Sequence, residues 1–310
     1  MIVKINRFFV ERLEKFLVKI KHRYPRRYGT MLALFGVFVL TPDTLVMRLS
    51  NLETWPLMGW RGIFLGISLL FLWRLFLFEN VSKEWRSLFT WPGIIVILAF
   101  AINSITFTLG VQETSVLVVL TAFATMPIFA AILSSILLNE SQDLAGWITF
   151  FAALIGIAIV VSDGANAIGQ PAGSTFLGAV YGAITALGLA LTFTLARKFP
   201  ALGVVPAAAV GSIISGIFGF SFSSAENILD TPIWTILTMG FLILPVSFGC
   251  LSIAPRYTSA AVVSLIMLLE MVIGPFWVWI GIGEQPSSIM VLGSFFVLIV
   301  IAIHIIRTQI

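Results

Sequence analysis

Long apolar runs, separated by short polar clusters, repeat down the whole chain. A helix crosses a hydrocarbon core of ~30 Å with ~20 residues. Runs of that length fall at 29–49, 57–78, 92–111, 114–138, 145–162, 174–195, 203–221, 232–251, 258–280 and 288–306. The breaks carry Pro, Gly, Asn and Ser, as in Asn51-Leu52-Glu53-Thr54-Trp55-Pro56 and Gly283-Glu284-Gln285-Pro286. Such residues stop helices and turn the chain. The runs are too long for β-barrel strands and do not alternate. The pattern predicts an all-α membrane protein of ten transmembrane helices. With 59% hydrophobic and 10% charged residues, a soluble domain could not hide this apolar surface, whereas lipid stabilises it.

Charge adds the orientation. With the N-terminus inside, the inner segments hold every one of the 18 basic residues except Arg48 and Arg61, which fall within or at the ends of spans. The outer loops hold acids instead: Glu53, Asp163, Glu226, Asp230 and Glu284. The positive-inside rule then predicts both termini in the cytoplasm, in agreement with an even number of spans. In a bacterial cell this means the inner membrane. Residues 1–28 are too charged and too broken for a cleaved signal peptide. Ile2, Ile5, Phe9, Phe16 and Ile20 fall near one helical face among Lys and Arg. That reads as a basic amphipathic helix on the anionic inner leaflet, or as a simple orienting arm. The net charge of +4 comes from this arm and does not point to nucleic acid. The lone Cys250 excludes an internal disulfide and a thiolate metal cluster.

An internal repeat is also visible. Thr114-Ser115-Val116-Leu117-Val118-Val119 opens the fourth run, and Thr258-Ser259-Ala260-Ala261-Val262-Val263 opens the ninth, 144 residues later. Glu140 and Glu284 close those runs at the same offset, and Pro127 and Pro275 lie inside them. The chain divides into a basic arm at 1–28 and two halves, roughly 29–145 and 173–306. Five spans per half is an odd number, so the two copies lie antiparallel. Inverted repeats supply secondary transporters with inward-open and outward-open states.

On these features the chain resembles the drug/metabolite transporter superfamily, in its ten-span EamA-type branch. The matching stretches are Met58-Gly59-Trp60-Arg61-Gly62, the Thr-Ser…Pro…Leu-Leu-Asn-Glu run at 114–140, and Thr-Ser-Ala-Ala…Gly-Pro-Phe…Gly-Glu at 258–284. The resemblance covers about 29–306. It implies a basket-like bundle whose spans one to four in each half line a central cavity. The fifth and tenth spans would then be peripheral or in contact with a second subunit, so a homodimer is a candidate assembly. Activities in the superfamily include export of amino acids, aromatic compounds and drugs, and exchange of sugar nucleotides or phosphates. The first span carries Asp43 where the four-span multidrug branch has a Glu, so that branch's drug–proton antiport does not transfer directly.

Ionisable residues inside spans are costly and mark functional sites. Asp43 lies in Thr41-Pro42-Asp43-Thr44, where Pro42 removes a backbone donor. It either lines a ligand site or pairs with Arg48 or Arg61. Arg61 could hold a substrate carboxylate through its bidentate fork, or neutralise Asp43. Glu270, near the middle of its run, has no basic partner on its own helix. It could exchange a proton, meet a cationic substrate, or bridge helices. Asn103 is the costliest of a polar stripe with Ser104, Thr106 and Thr108. Tyr181 could contact a substrate or anchor its helix at the interface. Trp60, Trp277 and Trp279 could stack on an aromatic solute, although Trp at span ends more often forms a membrane belt. Glu140 and Glu284 read as paired structural or gating residues.

No Walker A loop, metal set or triad is present, and His22 and His304 stand without suitable neighbours. The expected protein is a non-enzymatic secondary transporter, without a cofactor, that exports a small metabolite by alternating access. Asp43, Arg61, Asn103, Tyr181 and Glu270 are its candidate substrate-binding residues, and a proton is a candidate co-substrate. A passive facilitator or channel, and a non-transporting scaffold or lipid-handling protein, are the alternatives.

Overall fold

The computed structural model describes residues 24–77, 81–139, 144–166, 168–169, 171–224, 232–258 and 260–309. The arm at 1–23, with its expected surface helix and His22, lies outside the described residues, as do Glu140, Asp143, Glu226 and Asp230. Among the described residues the long elements are all helical: α1 (Pro25–Leu49), α2 (Thr54–Leu75), α3 (Trp91–Glu113), α4 (Val116–Leu138), α5 (Leu144–Asp163), α6 (Thr175–Lys198), α7 (Val204–Ser221), α8 (Ile233–Arg256), α9 (Ala260–Ile282) and α10 (Ser288–Gln309). Eight are long and apolar enough to cross a membrane, while α5 and α10 carry shorter apolar stretches, Trp147–Asp163 and Ser288–Val300. The one β feature among the described residues is an isolated bridge between Ile168 and Gln285. α1 starts at Pro25, before the apolar run, because proline at the first helical position presets φ where no N–H is needed.

The burial pattern suits a lipid solvent. Phe38, Phe71 and Leu292 point outward, while Asp43, Arg61 and Glu270 are buried. Small residues let helices meet backbone to backbone. α2 packs along α7, where a Cβ on Gly62 would sit 2.5 Å from the Gly216 nitrogen. α3 and α6 meet at Gly188, 2.9 Å by the same measure from the Ala99 carbonyl oxygen. α7 also meets α3, at Gly211, and α4 meets α6 at Gly182. α1 packs on α8 through Gly36 and also on α9; α4 touches α9; α5 packs along α10 at Gly156 and Gly293.

Two helices break near their prolines. Pro42 offers no N–H to the Phe38 carbonyl, and the Thr41 hydroxyl donates to that oxygen instead, at 3.0 Å. α1 is therefore α-helical over Pro25–Leu40 and again over Asp43–Leu49. In α4 the break falls at Ala124–Thr125, just before Pro127, and the Thr125 hydroxyl donates to the Ala122 carbonyl. Pro275, the matching proline of the repeat, leaves α9 continuous. At the start of α4 the Thr-Ser motif has a local purpose, because Ser115 is the N-cap and its hydroxyl accepts from the Val118 N–H.

Candidate substrate cavity

The break in α1 turns Asp43 into the bundle, and Arg61 reaches it from α2. Arg61 Nη1 donates to Asp43 Oδ2 at 2.6 Å. Both side chains are buried, at 0% exposure for Asp43 and 6% for Arg61. The guanidinium also lies 5.4 Å from the ring centroid of Phe107 on α3, a cation–π distance. Of the two acid-pairing alternatives, the Arg61 pair is the one formed. Arg48 is engaged elsewhere.

The pair borders a small cavity of about 30 Å³, enough for one or two water-sized groups. Its wall draws on α1 to α4 and on α6, α8 and α9. Asp43, Arg61, Asn103 and Glu270, which lie on four different helices, all line it. Asn103 donates from Nδ2 to the Thr185 carbonyl on α6 at 3.2 Å. Beside it, the Thr106 and Thr185 hydroxyls lie 2.8 Å apart. Glu270 is 3% exposed and makes no hydrogen bond among the described residues. Asp43 Oδ1 is likewise buried without a hydrogen-bond partner. Besides Ser104 and Thr185, the rest of the wall is apolar and aromatic, with Phe100, Phe107, Phe123 and Phe248. Those rings carry no distinguishing sequence signal in a chain with 27 Phe.

Tyr181 does not join this group. It sits one turn along α6, where its carbonyl accepts from the Thr185 hydroxyl at 2.9 Å. None of the three candidate stacking tryptophans lines the cavity either. Trp60 stacks on Phe64, Trp277 donates to the Thr41 hydroxyl, and Trp279 borders a separate apolar groove.

A second ionic cluster closes the end of the bundle where α1, α3 and α9 finish. Arg48 Nε donates to Glu284 Oε2 at 3.0 Å, and Arg48 Nη2 donates to the Thr114 carbonyl at 2.8 Å. Glu284 Oε1 accepts from the Val116 N–H at 2.7 Å, so its charge faces the positive end of α4. Burial pushes the Glu284 carboxyl above the usual carboxylate range, against the Arg48 charge and the Val116 N–H, which lower it. Around this cluster, Ile168 and Gln285 exchange two backbone hydrogen bonds, and the Ser287 hydroxyl donates to Asp163.

Residues 27–162, which take in α1 to α5, match the EamA-like transporter family. Comparison with curated proteins finds no match. A solved structure titled only "Crystal structure of protein" is similar at 13% identity and a TM-score of 0.64, over 91% of this chain and 98% of that one. At such identity the likeness is one of fold alone. The likeness in sequence to the EamA-like transporter family thus covers residues 27–162, the first half of the chain.

Proposed function

We propose that the protein is a secondary transporter that exports a small metabolite across the cytoplasmic membrane by alternating access. The observation that carries this reading is the cavity itself. Two acids, a guanidinium and an amide are costly in a bilayer, yet four helices bring them to one buried point between the two halves of the chain. A scaffold has no use for that arrangement.

Two inverted five-helix halves form the moving parts in this proposal. α5 and α10, at 20 and 22 residues, complete ten spans, since either rises ~30 Å at 1.5 Å per residue. The first half then ends with α5 at Asp163 rather than near 145, in keeping with the family match to 162. Helix pairing supports the repeat. Exchanging each helix for the one five places on turns α3–α6 into α8–α1, and α4–α6 into α9–α1. The same exchange maps α2–α7, α4–α9 and α5–α10 onto themselves, and all these pairs are in contact. The distribution of basic residues supports both termini in the cytoplasm, and in this reading the Arg48–Glu284 cluster is the outer closure.

Counterflow in proteoliposomes tests the function, with labelled amino acids, nucleobases and organic cations as the panel. Saturable exchange that is lost in Glu270→Gln is the expected result. Non-saturating flux would favour a channel, and no flux of any solute would favour a scaffold.

A further inference from the structure

A second opening lies at the end of the bundle where Arg48 meets Glu284. It is a cleft of about 480 Å³, against about 30 Å³ for the cavity at Asp43. Small-molecule sites commonly occupy ~300–1,000 Å³, so this cleft takes an organic ligand with the backbone where it is. One side is apolar, with Met47, Leu49, Leu52 and Ile282. The other carries Arg48, Asn51 and Gln112. Among the described lining residues Arg48 is the single ionisable one, so the charge on the wall is positive.

Arg48 is held in place but not fully used. Its side chain is 9% exposed. Nε donates to Glu284 and Nη2 to the Thr114 carbonyl, while Nη1 makes no hydrogen bond among the described residues. Glu284 divides its own charge between Arg48 and the Val116 N–H at the positive end of α4. The guanidinium, with five donors in a fixed fork, keeps part of its charge and one donor edge for a second anion.

We propose that the cleft binds a small organic monocarboxylate, with its carboxylate on Arg48 Nη1 and its apolar body against Met47, Leu49 and Ile282, and that the bound acid clamps this end of the bundle. The site is separate from the central cavity, and the inference does not depend on the transporter reading.

The surroundings separate this class from others. An organic cation would meet the guanidinium and find no acid among the described lining residues. A dianion such as phosphate would bring a second charge towards Glu284, which lies 3.0 Å from Arg48, and would leave the apolar side without a partner. A neutral solute would gain little from Arg48. The clamp follows from where the wall comes from. Met47 and Leu49 end α1, Gln112 is on α3, Ile282 ends α9, and Gly169 lies in the segment between α5 and α6. That segment is joined to the turn after α9 by the Ile168–Gln285 backbone pair. A ligand that touches all of these must leave before they can separate.

The test is calorimetric titration of the full chain in phosphatidylcholine nanodiscs, with discs lacking protein as the blank. The probe is 3-phenylpropionate, and the comparisons are 3-phenylpropanol, 3-phenylpropylamine, acetate and inorganic phosphate. The probe should bind once per chain, and each comparison at least tenfold more weakly. Arg48→Gln should abolish binding, but it also breaks the pair with Glu284. Two further variants leave that pair intact. Leu49→Trp fills the cleft and should abolish binding. Asn51→Asp sets an acid at the rim and should weaken binding at least fivefold, and Asp tolerates the left-handed φ of 50° found there. Both should melt at the temperature of the parent. Glu270→Gln, in the central cavity, should bind the probe as the parent does. No binding of the probe, equal binding of the alcohol or of phosphate, binding that survives Leu49→Trp, or binding lost in Glu270→Gln would each overturn the site. Amide hydrogen exchange reads the clamp: the probe should slow exchange at Ile168 and Gln285 at least fivefold in the parent and leave it unchanged in Leu49→Trp. Binding without that protection would overturn the clamp.

Discussion

Removing Arg61 should cost more than removing its partner Asp43, and the structure says why. The two side chains meet at 2.6 Å with 0% and 6% exposure, so neither charge is screened by solvent. Breaking a buried pair leaves a stranded charge and typically costs ~3–5 kcal/mol. In Asp43→Asn the guanidinium still has Glu270 on the same cavity wall as a counter-charge. In Arg61→Met two acids share the cavity with no base, and the cation–π contact to Phe107 goes as well. Arg61→Met should therefore show the full penalty and Asp43→Asn a clearly smaller one. The double variant, with one acid and no base, should regain part of what Arg61→Met loses. In thermal unfolding of the detergent-solubilised protein, the Arg61→Met loss should read as a fall of roughly 6–10 °C, at ~2 °C per kcal/mol for a chain of this size. Additive losses in the double variant, or equal losses in the singles, would refute the shared-charge reasoning.

Other perturbations test the frame around the site. Gly62→Val should abolish folded yield, because its Cβ would lie 2.5 Å from the Gly216 backbone nitrogen and no rotamer relieves that, whereas Gly249→Ala, with nothing within 4 Å, should be tolerated. Thr41→Val removes the hydroxyl that serves the Phe38 carbonyl and receives Trp277 Nε1, and should cost ~1–3 kcal/mol in the same melt. The Arg48–Glu284 pair, which the proposed topology places at the outer end, needs Glu284 ionised. A carboxyl is neutral below its pKa, and this one is raised, so it should lose its charge at a higher pH than an exposed Glu as the medium acidifies. In a Cys250→Ser background, a cysteine at buried Met47 should thus label faster with an impermeant maleimide as external pH falls, and fast at every pH when Glu284→Gln is added.

Much of the fold was legible because lipid imposes it. Apolar runs of spanning length have one stable outcome, a helix that satisfies its own backbone. The site was legible in part for the same reason, since a buried ionisable residue is costly enough to stand out. Asp43, Arg61, Asn103 and Glu270 stand out in the sequence that way as candidates, and they meet at one cavity. Tyr181 does not line that cavity; a phenol is affordable at many depths, so its place in an apolar run does not reveal its face. The aromatic wall shows the converse, because Phe is equally at home against lipid and against a cavity.

By itself, the sequence determined the class of protein, the rough position of its helices and the short list of costly polar groups, all of which follow from transfer energies read residue by residue. Partnership was decided only in three dimensions. Asp43 stands equally open to Arg48 and Arg61 along the chain. The break at Pro42 aims it at Arg61, and a loop 236 residues away brings Glu284 to claim Arg48. The same packing brings Asp43, Arg61 and Glu270 to one small cavity, two acids against one base among its described lining residues. A count of charges along the chain is blind to that imbalance, because it exists only where helices from both halves meet out of reach of water.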